Sequence, residues 1–175
     1  MNMVFRIIIT SIIFALFLQY ETFDRIMLTG EMRSYSATID ACHDAAVPLV
    51  TEMAEGRIVF DETKGLTNFK HALRSTLMLN SDLSPKENSI FAAPIKIVGM
   101  IFVGDDKVPK DIYGFAIYPY VFQQNVVYRG QTITVKETLY GPSVIGIIEV
   151  AYRVKGEPVT IKQAIYRYKD KSIKK

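Results

Sequence analysis

The chain is poor in the residues that most catalytic and metal sites need. Its 175 residues include no tryptophan, a single cysteine (Cys42) and only two histidines (His43 and His71). One cysteine excludes an internal disulfide, and two histidines leave little capacity for general acid–base chemistry. The sequence also lacks a phosphate-binding loop, a dinucleotide-binding fingerprint and a paired-cysteine zinc motif. We therefore expect that the protein is not an enzyme and that it has no catalytic residue, no cofactor and no metal ion.

The chain also lacks a strong excess of either charge. Its formal net charge is +3 and its pI is about 8.9, which is too mild a basic balance to predict nucleic acid as a partner. Apolar residues make up 49% and charged residues 22% of the sequence, as in ordinary folded proteins. The length fits one modest domain with an appendage.

A long stretch without charge stands at the N-terminus. Residues 7–18 read IIITSIIFALFL, and Arg6 is the only charge in about twenty mostly apolar residues. A helix of that length crosses a hydrocarbon core of roughly 30 Å. We predict a transmembrane anchor at residues 1–20, in contact with membrane lipid; a cleaved signal peptide and a buried soluble helix are the alternatives. Arg6 precedes the span while Glu21 and Asp24 follow it, which predicts a single-pass protein of the cell membrane with an extracytoplasmic domain.

The helical pattern continues past the apolar stretch. Apolar or small residues recur at steps of four and three from Leu28 to Met53, which predicts an amphipathic continuation of the helix over residues 21–55, loosened at Pro48 and ended near Gly56. This stripe either faces the core of the domain or packs against other copies. Small residues beside it, Ser34, Thr38, Ala41 and Ala45, would permit the close approach of another element. The residues predicted to pack the helix are Ile8, Ile12, Ala15, Leu28, Met32, Tyr35, Ile39, Cys42, Ala46, Leu49 and Met53.

Residues 56–175 predict an extracytoplasmic α+β domain. Asp61 is a candidate N-cap for a second, short helix that ends near Asn80. Strand patterns follow at residues 95–103 and 112–122, in a hairpin turning at Arg129–Gly130, and in a final pair, residues 144–154 and 159–168, around a turn at residues 155–158. Helices followed by runs of strands predict an α+β fold with an antiparallel sheet.

The remaining polar motifs are weak candidates for chemistry. Asp40 and Asp44 are spaced to hold a metal on one helix face near His43, but aspartates on a polar helix face are usually only solvated. Residues 104–106 (Gly-Asp-Asp) resemble an acidic metal motif but continue into turn chemistry. Ser143 lacks the flanking residues of a nucleophile elbow.

The arrangement of these segments resembles a known family. An apolar helix runs without a break into an alanine-bearing amphipathic helix, residues 34–50 (SYSATIDACHDAAVPLV), and a small β domain follows. Residues 7–55 are in this respect similar to pilin-like proteins, most of all the TadE-type minor pilins (pseudopilins) of tight-adherence pili. Typical prepilins carry a basic leader and a glutamate at the fifth apolar position, whereas here position 5 is phenylalanine and Glu21 follows the span.

This resemblance implies a structural subunit of a surface pilus or secretion-linked assembly. Its helix would first sit in the membrane and then pack with other pilin-like subunits, in a homo- or hetero-oligomer, with a surface filament as a second location. The alternative is a membrane-anchored extracytoplasmic binding module for a ligand, peptide or cell-wall polymer. Tyrosines of the strand region could line its surface: Tyr113, Tyr118, Tyr120, Tyr128, Tyr140, Tyr152, Tyr166 and Tyr168. Clustering of these rings on one exposed face would favour the binding module.

Overall fold

The long N-terminal helix is continuous but shorter than the pattern predicts. In the computed structural model, which describes residues 3–153 and 159–168, helix α1 spans Met3–Ala45, 43 residues or roughly 65 Å at about 1.5 Å per residue. The expected continuation to residue 55 is wrong beyond Ala45. Pro48 has no backbone N–H, and proline disfavours helical geometry at the preceding residue. Residues 47–49 instead run antiparallel to residues 59–61, with Leu49 N–H donating to Val59 O at 2.8 Å.

Two shorter helices follow among the described residues. Helix α2 is a single short stretch, Val50–Ala54, after which Gly56 adopts a positive φ of 77°. Helix α3 spans Glu62–Thr76, and the side chain of its N-cap Asp61 accepts a hydrogen bond from Lys64 N–H at 3.0 Å. The predicted N-cap is therefore confirmed, and the helix ends a few residues before the predicted position.

The described residues also contain five strands, and the prediction of an α+β fold with antiparallel strands is confirmed. They are β1 (Lys96–Val103), β2 (Tyr120–Tyr128), β3 (Gln131–Leu139), β4 (Ser143–Val150) and β5 (Thr160–Arg167). The β2–β3 hairpin turns at Arg129 and Gly130, both with positive φ, as a two-residue hairpin turn of the favoured type requires. The turn expected at residues 155–158 lies outside the described residues.

In the part of the chain that the structure describes, the strands form two sheets where the sequence predicts one. Strands β1, β4 and β5 pair in the order β1-β4-β5, and β2 and β3 form a separate two-stranded sheet. Strand β4 is buried along its whole length because both of its faces are covered. Val144 and Ile148 pack with residues of α1 and α3, while Ile145 and Ile147 pack with Val135 of the hairpin. The domain therefore has three layers: helices, the β1-β4-β5 sheet, and the hairpin.

The domain has two ends along α1, which we name the proximal end and the distal end. The proximal end lies beside Gly30, whose α-carbon faces Tyr152 and Ile90. The distal end lies beside Ala45, where α3 begins and where Asp105 N–H donates to Ile58 O at 2.8 Å. Because α3 starts near Ala45, it runs back along α1 toward the proximal end.

The one cysteine lies in the core of the domain. Cys42 is completely buried, and its thiol donates a long hydrogen bond to Ala164 O at 3.7 Å. Burial raises the pKa of this thiol from 9.0 to about 12. A neutral thiol enclosed by packed side chains is a poor nucleophile, so Cys42 serves as a core residue.

This burial predicts a pH effect on stability. Above pH 9 the thiol ionises in the unfolded chain but stays protonated in the folded chain until about pH 12. The free energy of unfolding should therefore fall as the pH rises through this window. The Cys42→Ala variant lacks this contribution, so its stability should fall less steeply with pH in denaturant titrations at pH 8 and pH 10. An identical change in the free energy of unfolding between pH 8 and pH 10 for both proteins would contradict the burial of the thiol.

Candidate assembly surface

The first half of α1 projects from the domain. The described large hydrophobic side chains from Met3 to Ile26 are all exposed, including Ile12 at 54% and Phe14 at 61%. This helix is long and apolar enough to cross a membrane, and none of its most apolar window is buried within the described chain. A signal sequence also passes this test of length and composition, as does the core helix of a soluble protein. The exposed apolar surface is far more than a soluble monomer usually leaves in water.

The second half of α1 is attached to the domain through small residues. Ser34, Ala37, Thr38, Ala41 and Ala45 are completely buried. Their small side chains let the helix approach the sheet closely, and the hydroxyl groups of Ser34 and Tyr152 form a buried hydrogen bond of 2.8 Å. At the crossing of α1 and β4, a β-carbon on Gly146 would lie only 2.8 Å from Cys42 Sγ. The row of small residues is therefore the side of α1 that faces the core.

The residues predicted to pack the helix do not form one buried face. Leu28, Met32 and Tyr35 are exposed at 60%, 64% and 48%, on the side of α1 turned away from the domain. We call these three residues the outer stripe. The others are distributed as follows: Ile8, Ile12 and Ala15 are exposed on the projecting half, Ile39 and Leu49 are half-buried, Cys42 and Ala46 are buried, and Met53 is exposed on α2.

The residues of the weak chemical motifs form contacts within the fold. His43 Nδ1 lies 3.1 Å from Asp44 Oδ1 and its ring packs edge-on against Tyr166. Asp105 accepts hydrogen bonds from Ile58 N–H at 2.7 Å and Tyr118 O–H at 3.1 Å. Ser143 is buried and donates to Gly141 O. Within residues 3–153 and 159–168, no three His, Cys, Asp or Glu side chains come close enough together to hold a metal ion.

A second exposed apolar feature lies at the distal end and was missed from the sequence. Residues 112–119 were predicted as the start of a strand, but β2 begins only at Tyr120. They belong to a tight loop in which Asp111 Oδ1 accepts hydrogen bonds from the backbone of Tyr113 and Phe115, at 2.9 and 2.8 Å. The tip of this loop exposes Ile112 at 91%, Tyr113 at 78% and Phe115 at 70%. Asp111 and Gly114 are the turn residues that could have signalled it.

The strand-region tyrosines do not gather on one exposed face. Tyr113 and Tyr140 are exposed, Tyr152 is buried with 5% of its surface accessible, and the rest are half-buried. Several take part in packing between elements, as Tyr152 does against Phe91 and Tyr168 against Phe60. The distribution is that of a half-buried sheet and gives no tyrosine-lined binding surface.

Comparison with known proteins adds no relative: no family model, no curated protein and no solved structure matches this chain. Functional inference therefore depends on the exposed surfaces of α1 and of the domain.

Proposed function

We propose that this protein is a structural subunit of a surface assembly, a minor pilin-like or pseudopilin-like component anchored in the cell membrane by the projecting half of α1. The observation that carries this proposal is that the two halves of one continuous helix have different surroundings. Its first half exposes apolar side chains on all sides, and its second half forms part of the core of the domain. A rigid helix of this kind holds the domain at a fixed position relative to the membrane.

The outer stripe supports packing between subunits. Leu28, Met32 and Tyr35 form a row of large apolar side chains that the domain leaves uncovered. Their spacing places them on one side of the helix, where they could meet the same row of a neighbouring helix. Helices in a membrane associate through close complementary faces, and the stripe would extend such a contact beyond the lipid.

Cysteine cross-linking in native membranes tests this packing. A cysteine in place of Met32 should form disulfide-linked dimers on mild oxidation, because copies meet along the outer stripe. Asp40→Cys is the matched control, since Asp40 is exposed on another side of α1. The native Cys42 is completely buried and should not contribute to the cross-links. Monomers from both variants, or equal amounts of dimer from both, would contradict packing through the stripe.

One observation favours a second function, a membrane-anchored binding module. The tip of the distal loop presents Ile112, Tyr113 and Phe115 on a backbone fixed by Asp111. Rigid exposed apolar side chains at the end farthest from the membrane suit the capture of a partner. In that case α1 would serve only as an anchor, and the protein would remain in the membrane without assembling.

A further inference from the structure

A cavity lies on a third side of α1, at the proximal end of the domain. It has a volume of about 290 Å³ and is lined by Thr22, Arg25, Ile26, Thr29, Arg33 and Ile90. The first five residues are spaced along one face of α1, and Ile90 closes the cavity from the segment that packs on Gly30. A second cavity of about 230 Å³ shares Arg33 and Ile90 with the first and adds Lys86, so the two are adjacent. We call the first the lower cavity and the second the upper cavity.

The charges around these cavities are unbalanced. Arg25, Arg33 and Lys86 are all exposed, and none of them forms an ion pair within residues 3–153 and 159–168. Glu87 is the one acidic residue lining either cavity, and it belongs to the upper one. The lower cavity therefore combines two guanidinium groups with the apolar side chains of Ile26 and Ile90.

The position of the lower cavity along α1 points to the lipid headgroups. From Met3 to Leu28 the helix is about 39 Å long at roughly 1.5 Å per residue, close to the 40–45 Å of a bilayer with its headgroups. The stretch from Thr22 to Thr29 then lies at the headgroup level. Arg33 lies eight residues, or about 12 Å, further out along α1, and its side chain lines the same cavity as Arg25.

We propose that the lower cavity binds the headgroup of an anionic phospholipid from the membrane that holds α1. The phosphate lies between the guanidinium groups of Arg25 and Arg33, which match phosphate oxygens with paired hydrogen bonds. Ile26 and Ile90 contact the glycerol and the upper acyl chains. A small soluble anion would gain nothing from these apolar side chains. The proposal rests on the membrane-spanning part of the proposed function and is independent of assembly.

Lipid enrichment around the full chain tests this site. The protein is inserted in nanodiscs of phosphatidylcholine with a minor fraction of phosphatidylglycerol, and the lipids that stay bound are measured by native mass spectrometry. Phosphatidylglycerol should be enriched several-fold over its bulk fraction by the native chain and not by Arg25→Gln/Arg33→Gln. Lys136→Gln, which removes an exposed charge from the hairpin, should leave the enrichment unchanged. Arg25→Lys/Arg33→Lys should retain part of it, because charge remains but the paired hydrogen bonds are lost.

Three results would overturn the site. The first is no enrichment by the native chain, and the second is equal enrichment by the native chain and the double glutamine variant. The third is displacement of the bound lipid by millimolar inorganic phosphate, which would identify a site for free anions. A chain that enters the disc without selecting headgroups contradicts the lipid site alone. A chain that fails to enter the disc contradicts the membrane span itself.

Discussion

Replacing Ile12 and Ile13 with lysine is expected to release the protein from the membrane. Both side chains are exposed in the middle of the apolar stretch, at 54% and 61%, and touch no part of the domain core. A lysine at the centre of a membrane helix costs about 2.5–3.5 kcal/mol on insertion scales, so two should cost roughly 5 kcal/mol or more. Cell fractionation with carbonate washing should then find the variant outside the membrane pellet.

The matched control puts the same two charges on the domain. Val121 and Val127 are 57% and 74% exposed on strand β2 of the hairpin, and Val121→Lys/Val127→Lys should remain in the pellet like the native chain. Equal membrane retention of the double-lysine variant would show that α1 does not cross the bilayer. Because the substituted side chains lie outside the core, the domain should stay folded in every variant, which Cys42 protection from thiol reagents reports.

Replacing Gly65 with alanine is expected to destabilise the domain even though alanine favours helices. A β-carbon at this position would lie 2.6 Å from Ala45 O and 2.6 Å from Phe102 Cε1. Alanine gains about 1 kcal/mol over glycine in a helix interior, but α3 could accept the methyl group only by moving away from the end of α1. We expect the free energy of unfolding to fall by about 3 kcal/mol, the upper end of ordinary overpacking.

Gly99 provides the control for this substitution. A β-carbon there would meet Val126 and Ile147 at 3.5 and 3.6 Å, which is ordinary contact. Gly99→Ala should therefore change the stability little, whereas Gly65→Ala should lower the denaturant midpoint clearly. The stability of both variants can be measured in detergent from the rate at which a thiol reagent labels Cys42 as the denaturant concentration rises. A Gly65→Ala variant as stable as Gly99→Ala would show that α1 and α3 are not in close contact.

Local sequence signals predicted most of the secondary structure. Asp61 caps α3 because its carboxylate reaches a free backbone N–H in the first turn, an interaction contained within four residues. Arg129–Gly130 turns the hairpin because both residues adopt positive φ. The strands on either side follow from alternation and β-branched residues. Each of these features depends on neighbours in sequence.

The faces of α1 could not be assigned in the same way. A helical period shows which residues share a side but not which side the domain covers. Size and apolarity favour the outer stripe as the core-facing side, whereas the sheet packs on Ser34, Ala37, Thr38 and Ala41 because small residues let it come closer. The choice depends on Gly146 and Tyr152, more than a hundred positions along the chain.

The distal loop and the lower cavity could not be predicted from the sequence for similar reasons. The distal loop has the aromatic and β-branched composition of a strand, but the Asp111 carboxylate accepts hydrogen bonds from the backbone of Tyr113 and Phe115 and helps to hold it as a turn. The lower cavity forms only when Ile90 packs beside α1, about sixty positions after Arg25 and Arg33. Neither arrangement follows from local propensity.

Gentle shearing of native cells, followed by N-terminal sequencing of the protein in the released material and in the membranes, tests the central claim most directly. A structural subunit should be found in sheared filaments with the apolar half of α1 retained, because that helix packs the assembly. Protein confined to the membranes, with Met1 intact and no higher assembly, would contradict the structural role. The anchored binding module with its distal loop would then be the better explanation.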